Sequence, residues 1–164
     1  SLKNGQFVAE VRGLTQKLSQ NIVELFSPTC RAVFGDTRCK ANLASYTVGG
    51  SVNTVSSRQV FISNSMTQAA GYFSGGEVVW LTGANAGRRM EIKEFSNKQF
   101  TLVLPMPNNV AVGDTFNAIA GCDKTISTCI AKFNNAVNFR GEPYVPGMDK
   151  MLATAATAND LQRV

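Results

Sequence analysis

The sequence predicts a mainly β protein, a small antiparallel β-barrel or sandwich flanked by an N-terminal strand or irregular segment and a short C-terminal helix. Three observations carry that expectation. Between Cys39 and Cys122 the chain runs as short stretches rich in β-branched and aromatic residues, separated by Gly, Asn, Ser and Pro. That span has no apolar period long enough for a helical crossover, which parallel strands would need. After Cys122 the apolar period changes from two toward that of a helix.

The elements follow in order. "GQFVAEVRGL", Gly5 to Leu14, sets Phe7, Ala9 and Val11 on one face and reads as a strand. Leu14, Leu18, Ile22, Leu25 and Phe26 then recur at near-helical spacing diluted by Gln, Ser and Asn, so helix and irregular connection are both open there. Pro28 disfavours helix at Ser27. The strand-like stretches are "SYTVGGSVNTVSS", "RQVFISN", "GYFSGGEVVWLTG", "RRMEIKEF", "QFTLVLP" and "DTFNAIAGC". Short strands at such spacing, joined by tight turns, pair antiparallel, and curling the sheet removes exposed edges. Phe73, Val78, Trp80, Phe95, Phe100 and Leu102 are its expected core. In "DKTISTCIAKFNNAVNF", Ile126, Cys129, Ile130, Phe133 and Val137 share one side of a helical wheel, with Asp123 or Thr125 as N-cap. The expected organisation is a single domain over 1–149, its β core at about 44–120, followed by a C-terminal arm, 150–164.

Length and composition fit one globular domain: 164 residues, 44% hydrophobic and 16% charged. A net charge of +5 allows contact with phosphates or acidic surfaces without supplying a dense basic run. A nucleic-acid-binding module is therefore an alternative, disfavoured because the aromatics are not interleaved with Arg and Lys. No stretch approaches the ~20 apolar residues of a membrane-spanning helix, and "SLKNGQFVAE" lacks the order of a signal peptide, so a soluble chain is expected. Its start at Ser1 suggests a piece of a longer or processed polypeptide. Enzyme chemistry finds little footing: there is no histidine, no nucleophile elbow, and "GANAGRR" lacks the Lys-Ser/Thr end of a phosphate loop, reading instead as a hairpin turn.

Four cysteines remain, Cys30 and Cys39 with eight residues between them, Cys122 and Cys129 with six. They could be buried thiols, disulfides, or ligands of zinc or an iron–sulfur cluster. A wholly helical 122–129 segment would hold its α-carbons ~10 Å apart, beyond disulfide reach. A lone Zn²⁺ draws four sulfurs to ~2.3 Å from one point, usually from tighter spacings than these. A [4Fe–4S] cluster binds each thiolate to a different iron and tolerates wider pairs. Arg31, Arg38, Lys40, Lys124 and Lys132 flank the cysteines and would favour thiolates. On residue chemistry the order is cluster, zinc, disulfide, with none of the three closed.

"FVAEVRGLTQKL", "CRAVFGDTRC", a β-rich middle and "GCDKTISTCIAKFNNAVNFRGEPYVPGMD" together resemble the C-terminal region of tail-hub proteins of long-tailed phages, prophages and gene transfer agents, and are similar to the lambda-type tail tip protein L family. The resemblance runs from about Phe7 to Asp149. It implies a virion structural protein at the tail tip, made in the bacterial host cytoplasm. Its [4Fe–4S] ligands would be Cys30, Cys39, Cys122 and Cys129, and the cluster would staple the domain shut. It further implies assembly with other hub proteins, as a homotrimer, at the junction of tube and fiber. Gly35 and Asp36 would shape the first turn, Phe139 would pack, and Arg140 would fix a turn or carboxylate. Arg38, Lys124 and Arg140 would support the cysteines.

Overall fold

The computed structural model describes residues 26–145 and the two short strands β1 (Leu2–Lys3) and β2 (Gln6–Phe7), which pair antiparallel. Most of the strand expected over Gly5–Leu14, the helix-or-connection after it and the arm at 150–164 lie outside the described residues.

Seven strands form the main sheet: β3 (Thr47–Ser51), β4 (Thr54–Val55), β5 (Val60–Ile62), β6 (Glu77–Trp80), β7 (Arg89–Ser96), β8 (Gln99–Leu102) and β9 (Thr115–Ile119). They lie in the order β3-β9-β6-β7-β8-β5-β4, and every pairing is antiparallel. The outermost strands are consecutive in the chain, joined only through Val52 and Asn53. Val52 N donates to Asp114 O beside β9, and Asn53 N donates to Ile62 O on β5. One bent segment thus serves both sides, and the sheet curls into a half-barrel rather than splitting into a two-layer sandwich. Curling leaves little free edge for another chain to pair with.

The turns follow from local chemistry. Between β7 and β8, Asn97 and Lys98 have φ of 49° and 65°, the paired left-handed conformation of a two-residue hairpin whose twist matches its strands. "GANAGRR" is indeed the β6–β7 turn. Asn85 within it is buried, its amide donating to the carbonyls of Asn108 and Asn109 and accepting from Asn108 N.

Alternation fills the interior. Val78 and Trp80 of β6, Phe100 and Leu102 of β8, and Phe116 and Ala118 of β9 all point inward and are fully buried. On β7 the inward residues are Ile92 and Phe95, three apart, because the register slips between Ile92 and Glu94; a bulge lets both reach the core. The rings of Phe61, Phe73, Trp80, Phe95, Phe100 and Phe116 form one network with centroids 4.7–5.6 Å apart. These rings are enclosed and cannot serve as a stacking platform for bases. No helix among the described residues is long and apolar enough to cross a membrane.

Phe100 touches four of these rings, so Phe100→Ala is expected to cost about 3–5 kcal/mol, read as a lower denaturant midpoint at unchanged slope. Tyr144→Ala, at an exposed ring, is expected to stay within about 0.5 kcal/mol of the parent.

Candidate metal centre

The first cysteine is held by three crossing segments. Cys30 N donates to Lys124 O at 2.8 Å, Arg31 N to Arg140 O at 3.0 Å, and Lys124 Nζ to Ala32 O at 2.5 Å. Residues near positions 30, 124 and 140 therefore meet within a few bonds of one another. Gly141 is required at this crossing, since a Cβ there would stand 2.6 Å from Thr29 O.

Cys39 closes a turn built by Asp36. One carboxylate oxygen of Asp36 accepts from Cys39 N at 2.6 Å and Arg38 N at 2.9 Å, and the other accepts from Val33 N at 2.9 Å. The Cys39 amide, more than the other two, holds the Asp36 carboxyl below its ordinary range. Gly35 has φ of 79° with Leu43 packed where a Cβ would lie, which explains glycine at that position. The expected roles of Gly35 and Asp36 are both met.

Cys122 follows β9 directly. Ala120 N donates to Tyr46 O and Gly121 N to Tyr72 O, so the strand end is fixed on both sides before the chain turns. Lys40 and Lys124, just beyond two of the cysteines, have φ of 58° and 64°. Left-handed backbone at non-glycine residues costs energy and concentrates at functional sites.

Cys129 lies on α1 (Ile126–Ala131), capped by Thr125, whose hydroxyl accepts from Thr128 N. The Thr125 alternative for the N-cap is the one found. Asp123 instead accepts from Thr125 N and from the Thr125 and Thr128 hydroxyls; these bonds outweigh its partial burial and keep its carboxyl below the usual range. The helical face expected through Val137 breaks after one and a half turns. Cys129 and Phe133 are buried, whereas Ile130 is 52% and Val137 92% exposed. The chain leaves the helix at Lys132 and resumes as a single 3₁₀ turn, Ala136–Asn138.

The four cysteines line one small cavity with Ala32, Phe34, Lys124, Phe133 and Phe139 among its walls. All four are free thiols, so no disulfide joins either pair. Burial, and after it the negative charge of Cys122, Cys30 and Cys39, raises the Cys129 thiol above its ordinary range. Three sulfurs are hydrogen-bonded: Arg140 N donates to Cys30 Sγ at 3.4 Å, Asn135 Nδ2 to Cys39 Sγ at 3.5 Å, and Cys129 Sγ donates to Asn135 O at 3.4 Å. The cavity holds about 10 Å³, room for roughly one water-sized sphere. Among the described residues, no group of three or more Cys, Asp or Glu side chains is arranged to hold a metal ion, so the expected four-cysteine ligand set is not assembled around one point here.

The expected supporting residues divide. Lys124 lines the cavity and ties the two cysteine segments. Arg38 Nη2 donates to Arg31 O. Arg140 was expected to fix a turn or a carboxylate; its backbone ties the crossing at Cys30 and Arg31, its side chain is exposed, and the carboxylate of Glu142 is held by Arg31. Arg31 grips Glu142 with two nitrogens at 2.6 and 2.7 Å, while Ser27 N donates to the same carboxylate at 3.0 Å. Lys132 donates to Tyr72 O and Gly121 O over the Tyr72 ring, and burial lowers its ammonium pKa against the opposing charges of Cys122 and Asp123. Asn135 was missed by the sequence reading although it bonds both Cys39 and Cys129. Its only sequence signal is an Asn-Asn step where the helix ends.

With this geometry in place, likenesses to known proteins acquire positions. Residues 1–42 match the family model of a baseplate hub protein, N-terminal attachment domain, and residues 71–149 that of a phage conserved hypothetical protein, BR0599. Each matched segment contains one cysteine pair. No curated protein matches the sequence. Among solved structures, a chain from the virion of a native gene transfer agent particle is 33% identical with a TM-score of 0.75, over 94% of this chain and 56% of that one. This chain thus spans little more than half of that relative. The likenesses lie with phage-type and gene transfer agent particles; none of these matches is to a lambda-type tail tip protein L, and the match at the start of the chain is to an N-terminal rather than a C-terminal hub region.

The Arg31 ion pair, and then the Ser27 amide, hold the Glu142 carboxyl at about 2 against an ordinary 4.5. A depressed carboxyl contributes stability above its unfolded value and loses it on acidification. Acid is therefore expected to weaken the parent between about pH 4.5 and 2 more than Glu142→Gln, measured as denaturation midpoints across that window. Parallel curves would show that the pair contributes nothing.

Proposed function

We propose that the chain is a structural domain of a phage-type or gene transfer agent tail hub, stapled by a [4Fe–4S] cluster on Cys30, Cys39, Cys122 and Cys129. The observation that carries this reading is that all four cysteines, from two distant segments, line one small cavity with no histidine or carboxylate among its walls. The donor set suits iron–sulfur ligation, which takes four thiolates. Backbone and side-chain N–H groups on two of the sulfurs suit thiolate acceptors. Iron and sulfide would supply cross-linking between the segments.

The cluster is preferred to zinc because of spacing. Pairs separated by eight and six residues are wider than the two to four residues usual between the ligands of a zinc knuckle. The chain's own residues do the remaining work: Asp36 and Thr125 cap the two thiol-bearing turns, Asn135 and Lys124 lock them together, and Arg31–Glu142 clamps the outer side. Stapling both ends of the β domain resists their separation under load. The hub role is supported by the attachment-domain match and the likeness to a gene transfer agent virion chain. Assembly with other hub proteins about a three-fold axis, at a tail tip, belongs to the same reading. Contact with nucleic acid is not favoured, because the largest aromatic cluster is buried.

Anaerobic purification followed by iron, acid-labile sulfide and zinc assays tests this. About four irons and four sulfides per chain, lost with the visible absorption in Cys30→Ser, are expected. Stoichiometric zinc without sulfide, or a metal-free wild type as stable as the loaded one, would overturn it.

A further inference from the structure

The four thiols are not equivalent. Cys122 lines the shared cavity and also a second, open groove of about 400 Å³ on the outer face of the sheet. That groove is walled by Val33, Phe34, Leu43, Ile119 and Lys124, with Glu77, Arg89 and Glu91 along the sheet. Cys129 is buried, and Cys30 and Cys39 are partly exposed as Cys122 is, but neither of them borders this groove. Cys122 is also the one whose sulfur takes no hydrogen bond among the described residues, whereas each of the others has one. It thus combines an open approach with the weakest hold on its sulfur.

The geometry points to Cys122 as the exchangeable ligand of the site, the position where a small exogenous thiol or soft electrophile gains entry. The inference rests on the four-cysteine reading above. Val33 and Leu43 are partly or largely exposed at the mouth of the groove, so an uncharged molecule of a few heavy atoms meets an apolar wall on one side and Lys124 on the other. In the exchange, the incoming thiol gives its proton to the departing Cys122 sulfur and takes its place as thiolate. With iron bound, one sulfur–metal bond would form and one would break, with no electrons gained or lost. Solvent access and thiolate character set which cysteine reacts first.

Two measurements on anaerobically loaded protein test this. Limited iodoacetamide followed by peptide mapping is expected to label Cys122 about tenfold faster than Cys30, Cys39 or Cys129. With excess 2-mercaptoethanol, Cys122→Ser is expected to keep iron and sulfide near wild-type levels, while serine at any other position lowers them about tenfold or more. Equal labelling of the four, or first labelling at Cys30 or Cys39, would overturn the inference, as would loss of iron from Cys122→Ser equal to the others despite added thiol. The metal content of the wild type reports separately on the cluster itself, because the labelling order can be read whichever metal is found.

Discussion

The pairing of β3 with β9 is the constraint on which the site depends. Thr47 stands opposite Ile119 in that ladder, so the segment arriving from Cys39 and the segment leaving toward Cys122 meet at the same end of the half-barrel. Distant parts of the chain are thereby delivered to one place by backbone hydrogen bonds before any side chain acts. Tyr46 extends the junction, its hydroxyl donating to Phe133 O and its ring packing on Phe133 and Phe34 at 5.0 and 5.8 Å. The aromatic core of the barrel makes this register rigid, since a one-residue slip would turn Phe116 and Ala118 outward.

Beyond the ring cluster of Phe34, Tyr46 and Phe133, the cysteine lobe is held mainly by polar contacts. It has few buried apolar side chains of its own, Ala32, Cys129 and Phe133 among them, and a lobe so built has little hydrophobic stabilisation to set against chain entropy. Hydrogen bonds through Lys124, Asn135, Asp36 and Glu142 position it. A covalent centre among the sulfurs would add the tie that apolar packing does not provide, which connects the lobe's composition to its chemistry. The β domain and the lobe thus have different sources of stability within one chain.

Much of the barrel was legible in the sequence because period-two alternation and turn residues are local signals. The core residues Phe73, Val78, Trp80, Phe95, Phe100 and Leu102 were identifiable from their strands alone. The bulge that brings Ile92 and Phe95 to one face was not, since it depends on the partner strand, and neither was the bend that makes β3 and β4 opposite edges of one sheet. The four cysteines could be singled out by type and number. Their supporting groups were harder, because Arg140 contributes a backbone amide that any residue would carry, and Asn135 matters only through where the 3₁₀ turn places it. The Arg31–Glu142 pair spans most of the chain, and no local pattern links its partners. The helical face through Ile130 and Val137 misled because periodicity cannot register that the helix stops at Ala131.

The central claim is that the two thiol pairs enclose one iron-containing centre at the end of the β3–β9 ladder. Anomalous diffraction at the iron edge, from crystals grown without oxygen, tests it most directly. The account expects one compact iron peak bounded by the sulfurs of Cys30, Cys39, Cys122 and Cys129. Four sulfurs dispersed around no metal, or bonded to one another in pairs, would contradict it.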